Sequence, residues 1–302
     1  MHAASGLMWR CDMRLLQGCA GWVACTAFLL TATISPARAQ VDFSETVTFG
    51  DSFTYNDVLG PVYDNPQSLY GADPLGAAFN RAAAPDDRLT NLAVAGASSW
   101  QIPLQIAAYN RLRLRRQIGT ATVVNFQIGA TDIAANINLL GDYDPGENFA
   151  ADRIVDRLIA RIRTSLNALQ RLAPHATFIV WTIPDISETP AYLDLLSSGE
   201  KANIAQHIAR VNAAIESYAS IDNVLIFDMN ALLSALIADP PELLGVTLTP
   251  PPAFGEPTDL FADELHPTAV TNGLLANGIL AGLNDRFGTD FELYDEAELA
   301  GL

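Results

Sequence analysis

Beyond position 25 the chain contains no cysteine. Cys11, Cys19 and Cys25 are the only three. The remainder therefore has no disulfide framework, no thiolate metal site and no cysteine nucleophile. Lysine is almost missing as well, with Lys201 the single example. Lys and Arg total 17 against 34 Asp and Glu, for a net charge of −17. That balance excludes the basic footprint of a nucleic-acid binder. It also argues against electrostatic docking on anionic lipid. Histidine is scarce, at four residues. No glycine-rich phosphate loop occurs. The acidic segment Asp142–Glu147 lacks the spacing of an EF-hand calcium loop and reads as a turn. No metal and no cofactor is expected.

What is present begins with an N-terminal leader. Arg10 and Arg14 precede an apolar stretch from Gly18 to Ile34, and Ala37-Arg38-Ala39 then offers an A-x-A cleavage site before Gln40. Residues 1–39 are read as a signal peptide, so the protein is expected to be secreted or periplasmic. The alternative is an uncleaved membrane anchor, for which the run is a little short. A lipoprotein anchor at Cys19 fits less well, because most of the apolar run follows that cysteine. After cleavage no stable membrane insertion is expected.

From residue 40 to 302 the pattern is that of one domain, with 288–302 an acidic, solvated C-terminal tail. Short apolar runs at 46–49, 89–95, 122–128, 177–183 and 224–227 alternate with amphipathic segments at 100–118, 149–172, 201–219 and 268–287. Runs that are apolar at nearly every position predict strands buried on both faces. The β-α order predicts a three-layer α/β/α sandwich with a mostly parallel five-stranded sheet. Arg111, Arg113, Arg115 and Arg116 read as a solvated helix face. Two long Pro-rich segments, 60–88 and 239–262, are apolar enough to line a pocket.

Functional sites in such sheets lie beyond the C-terminal strand ends. Gly50-Asp51-Ser52 stands at the end of the first strand. Ser52 is expected to cap the following turn and to present its hydroxyl. A serine hydroxyl becomes nucleophilic only beside a base, which itself needs an orienting group. His175 precedes a strand, at the wrong end, and His207 lies within a helix. His266 stands in a loop just before the last helix, with Asp263 three residues earlier. That spacing lets the carboxylate accept the Nδ1 proton and leave Nε2 basic.

Together these blocks resemble the SGNH/GDSL hydrolases, from about Val47 to Leu280. Gly50-Asp51-Ser52 is similar to the family's first block, Gly96 to the second-block glycine, and Asp263–His266 to the last block. The third block, Gly-x-Asn-Asp in the family, reads Gly129-Ala130-Thr131-Asp132 here. The resemblance implies a flavodoxin-like sheet. It also implies an esterase or lipase whose Ser52, His266 and Asp263 form a triad, with the N–H groups of Ser52 and Gly96 in the oxyanion hole. Thr131 stands where the family places an Asn donor. Thr131 can donate in its place, Asn136 or Gln127 can fill the gap, or two backbone donors can suffice. Asp51 and Asp132 are read as structural. The segment after the fourth strand, Trp181–Pro190, matches loosely.

The expected partner is a small-molecule or lipid ester substrate. Carbohydrate O-deacetylation and acyl transfer are alternatives within the family. A rival of another class is a secreted binding protein with a decayed site, and Thr131 is the feature that speaks for it.

Overall fold

In this computed structural model the strands β1 (Glu45–Phe49), β2 (Arg88–Asn91), β3 (Val123–Phe126), β4 (Thr177–Trp181) and β5 (Val224–Phe227) form one parallel sheet in the order β2-β1-β3-β4-β5. The structure describes residues 41–55 and 74–302. The expected signal peptide, residues 56–59 and the part of the first long loop up to residue 73 lie outside them.

The sheet explains its own sequence. Every residue of β3 is buried, as is β4 from Phe178 onward, because helices cover both faces and leave no side for polar alternation. Some of the buried polar groups of the sheet have partners. Asn125 Oδ1 accepts from the Trp181 indole at 2.6 Å, and Thr46 Oγ1 donates to the Phe43 carbonyl. The edge strand β2 is only half-buried and ends at Asn91, short of the expected Ala95.

On one face α2 (Ile102–Leu114), α5 (Phe149–Leu172) and α7 (Ser198–Glu216) pack side by side. On the other, α9 (Ala269–Phe287) packs against α1 (Pro74–Ala82) and α8 (Met229–Ala238). The stripe expected on α5 is buried through Leu158, Ile162, Leu166 and Leu169. The helix α2 departs from its hydropathy. Leu104 and Leu114 are exposed, while Gln105 and Tyr109 are buried.

Several short elements were not expected. The first long segment contains α1, and 239–262 contains a hairpin of β6 (Glu242–Leu243) and β7 (Val246–Thr247). Leu248, Leu260 and Phe261 of that segment are buried in packing, so they do not line a pocket as expected. Helices α3 (Ala130–Ala134), α4 (Ile137–Asp142) and α6 (Pro190–Leu193) sit in the loops after β3 and β4.

The C-terminal tail is docked rather than solvated. Helix α10 (Glu296–Ala300) buries Leu299, and Leu299 and Leu302 lie against Gly273 of α9. Arg81 of α1 donates to the carbonyls of Glu292 and Leu293 and to the Glu298 carboxylate. Its guanidinium stacks 5.0 Å over the Tyr294 ring, and Tyr294 Oη donates to the Ala77 carbonyl. Acidic composition hid an apolar face of one helical turn. Among the described residues no helix is long and apolar enough to cross a membrane.

Candidate active site

The three segments that leave β1, β2 and β3 meet the loop that precedes α9 at the C-terminal edge of the sheet. Ser52, Gly96, Thr131 and His266 line one cavity of about 360 Å³, together with Phe53, Ala95, Ala130, Ala134, Ile186 and Leu265. Residues separated by more than 200 positions are thus brought to one place.

Ser52 follows a sharp turn after β1. The cap of that turn is Asp51 rather than Ser52 as expected. Asp51 Oδ1 accepts the Phe53 N–H at 3.1 Å, and the Thr54 N–H reaches the Asp51 carbonyl. An Asp side-chain oxygen readily accepts from the amide two residues on, which closes such a turn. Asn91 holds the far side of the turn, its amide donating to the Thr54 carbonyl at 2.6 Å. Asp51 is wholly buried, and burial pushes its carboxyl up to about 7. The Phe53 amide, the charge of His266 and the Gln127 side chain oppose that rise only in part.

His266 is held by its own loop. The Phe261–Pro267 bridge, the Ala262 N–H to His266 carbonyl bond and the Thr268 Oγ1 bond to the Asp259 carbonyl close its base. Asp263 Oδ1 accepts the N–H groups of Leu265 and His266, each at 2.7 Å. The same carboxylate lies 2.8 and 3.0 Å from His266 Nδ1. Burial raises the Asp263 carboxyl, but the bond and charge of His266 and the two amides outweigh it, so it sits below its ordinary value. An ionised Asp263 favours the tautomer that carries its proton on Nδ1 and a lone pair on Nε2. The Phe53 ring packs 5.7 Å from the imidazole, and the Ala191 N–H bonds the Glu264 carbonyl, tying this loop to α6.

Gly96 has φ of 72°, a left-handed conformation that favours glycine. Thr131 stands in the first turn of α3 and its hydroxyl makes no hydrogen bond with the described residues. Of the alternatives at this position, Asn136 donates its amide to the Asp132 carbonyl. Gln127 is buried behind Gly50, its Oε1 3.4 Å from the Asp51 N–H. Neither lines the cavity. Asp132 accepts the N–H and the hydroxyl of Ser99, each at 2.7 Å, so the Gly96 and Thr131 segments are joined side by side. Burial raises the Asp132 carboxyl, against the pull of Ser99 and Arg161.

The other histidines stand apart. His175 is exposed beside the start of β4, and His207 is buried in α7 with Nε2 3.0 Å from the Tyr143 carbonyl. In the acidic segment, Asp144 accepts from the Gln206 amide and the Gly146 N–H donates to Asp152. Arg113 and Arg116 border a cavity at the opposite end of the sheet with Arg88, and Arg113 donates to the Leu172 carbonyl. The apolar wall made by Phe53, Ile186 and Leu265 was not foreseen, since Ile186 and Leu265 sit outside any periodic segment.

The model of the GDSL-like lipase/acylhydrolase family matches residues 46–279. An acetylxylan esterase from Geobacillus stearothermophilus is similar in fold, with a TM-score of 0.50 at 15% identity over 84% of this chain and 99% of that one. An extracellular lipase from Streptomyces rimosus gives 0.49 at 21% identity over 80% and 99%. No curated protein matches the chain. With the family model running from β1 into α9, across the whole parallel sheet, the chain belongs to the GDSL-like lipase/acylhydrolase family.

Proposed function

We propose that the protein is an exported serine esterase that hydrolyses carboxylic esters through Ser52, His266 and Asp263 without a cofactor. The observation that carries this reading is the pairing of Asp263 with His266 Nδ1 beside the cavity that Ser52 lines. Ser52 Oγ attacks the ester carbonyl carbon while His266 Nε2 takes the hydroxyl proton. The carbonyl π pair moves to oxygen. Collapse of the tetrahedral adduct expels the alcohol, which leaves with the proton from His266. Water then attacks the acyl-enzyme, again losing its proton to Nε2, and the acid departs as Ser52 regains its proton. Asp263 stays ionised throughout and stabilises the imidazolium.

The oxyanion is held by the N–H groups of Ser52 and Gly96 and by the Thr131 hydroxyl. A preorganised donor of this kind contributes about 3–4 kcal/mol to lowering the barrier. The cavity suits a short to medium acyl chain, because Phe53, Ile186, Leu265 and three alanines give it an apolar wall. The acetylxylan esterase likeness keeps carbohydrate deacetylation as the second reading.

Hydrolysis of p-nitrophenyl esters from acetate to palmitate tests the proposal. Activity peaking beyond acetate and lost in Ser52→Ala is expected. A profile confined to acetate favours deacetylation, and full activity in Ser52→Ala overturns the mechanism. Export is tested by the N-terminal sequence of the secreted protein, expected at Gln40.

A further inference from the structure

The backbone two residues before Ser52 is gripped from α2. Gln105 is only 5% exposed, and both ends of its amide are used on Gly50. Its Nε2 donates to the Gly50 carbonyl at 2.8 Å, and its Oε1 accepts the Gly50 N–H at 2.9 Å. The same carbonyl also accepts the Val94 N–H, from the segment that carries Gly96. On the β3 side, the Gln127 N–H to Phe49 carbonyl bond is the last one beside β1. At Gly50, then, a side chain stands where a neighbouring strand would continue. Gly50 itself is closely packed on its other side. A Cβ on Gly50 would lie 2.3 Å from Thr54 Oγ1 and 2.4 Å from the Gln127 carbonyl.

The segment from Val94 to Gln105 touches all three parts of the candidate oxyanion hole. It contains Gly96. Through Gln105 and Val94 it holds Gly50, ahead of Ser52. Through Ser99 it holds Asp132, next to Thr131. Oxyanion donors act only within about 2.7–3.1 Å of one oxygen. A displacement of about 1 Å costs on the order of 100-fold in rate.

We propose that Gln105 is a positioning residue: its double hydrogen bond to Gly50 sets the Ser52 N–H against the Gly96 N–H so that both reach one oxyanion. This rests on the reading of Ser52 given above. The role needs a donor and an acceptor on one planar fork. Glutamine has both. A protonated glutamic acid has both as well, whereas a carboxylate has only acceptors and is repelled by the Gly50 carbonyl.

The test measures kcat and KM for wild type, Gln105→Met and Gln105→Glu from about pH 6 to about pH 9, a range that brackets a carboxyl raised by burial. Circular dichroism is recorded at each pH, and Ser52→Ala is run alongside. Gln105→Met is expected to lower kcat by about 10- to 100-fold at every pH with KM little changed. Gln105→Glu is expected to approach wild type at the acidic end, with its kcat relative to wild type falling as pH rises. A folded methionine variant with wild-type kcat overturns the proposal. So does a glutamate variant whose ratio to wild type does not change with pH, and that variant decides alone if the methionine variant does not fold. Activity surviving in Ser52→Ala would instead overturn the reading of Ser52, whatever the Gln105 variants do.

Discussion

His266 Nδ1 lies 2.8 Å from Asp263 Oδ2, and the backbone N–H groups of Leu265 and His266 both close on Asp263 Oδ1. The carboxylate is therefore fixed by its own loop before it orients the ring. Asp263→Asn keeps the size of the group but cannot stabilise an imidazolium. It also favours the wrong tautomer. We expect kcat to fall by about 10²–10⁴-fold with KM little changed, as read from ester hydrolysis at neutral pH.

The buried Asp51 is expected to give stability an unusual pH dependence. The folded protein keeps this proton up to about pH 7, while the unfolded chain releases it near 3.8. Between those values the native state binds more protons, so stability falls as pH rises across that window. The span corresponds to on the order of 4 kcal/mol. Asp51→Asn should flatten the slope and exceed wild type in urea midpoint above about pH 7. Equal slopes for the two proteins would show that Asp51 does not titrate this way. Asp263, held below its ordinary value, acts in the opposite sense. Its contribution is present above about pH 4 and lost as pH falls further.

Thr131 is expected to be a working donor. Thr131→Val keeps the shape and removes the hydroxyl, and should lower kcat by about 10²- to 10³-fold at constant KM. Thr131→Asn should preserve or raise kcat. Wild-type kcat in the valine variant would leave the two backbone donors sufficient.

The docked C-terminus predicts a stability effect far from the site. Leu299 is 4% exposed, so Leu299→Ala should lower unfolding free energy by roughly 2 kcal/mol, measured by urea denaturation, with kcat unchanged. A free tail would give no change.

What could be read in advance follows from where each residue's partners lie. Strands such as Val123–Phe126 declare themselves because burial on both faces removes every polar alternation. Ser52, His266 and Asp263 declare themselves because their chemistry needs those residue types, two of them at a fixed spacing. Gln105 does not. Within α2 it reads as a surface residue beside Leu104, yet Leu104 is 64% exposed. The amide can be buried only because Gly50, 55 positions earlier, satisfies both its ends. The tail misled for the same reason. Asp295, Glu296 and Glu298 announce solvent, while Leu299 and the Arg81 partnership become visible only once α1 and α9 are adjacent. The short helices α3 and α4 are set by tertiary packing at the site's edge and have too few turns to show a period.

The most direct test of the central claim is labelling with a fluorophosphonate followed by peptide mass spectrometry. A nucleophilic Ser52 predicts one adduct per chain, on the peptide that contains Ser52, formed far more slowly in His266→Ala. An intact protein that gains no adduct, or gains it on another residue, would contradict the account.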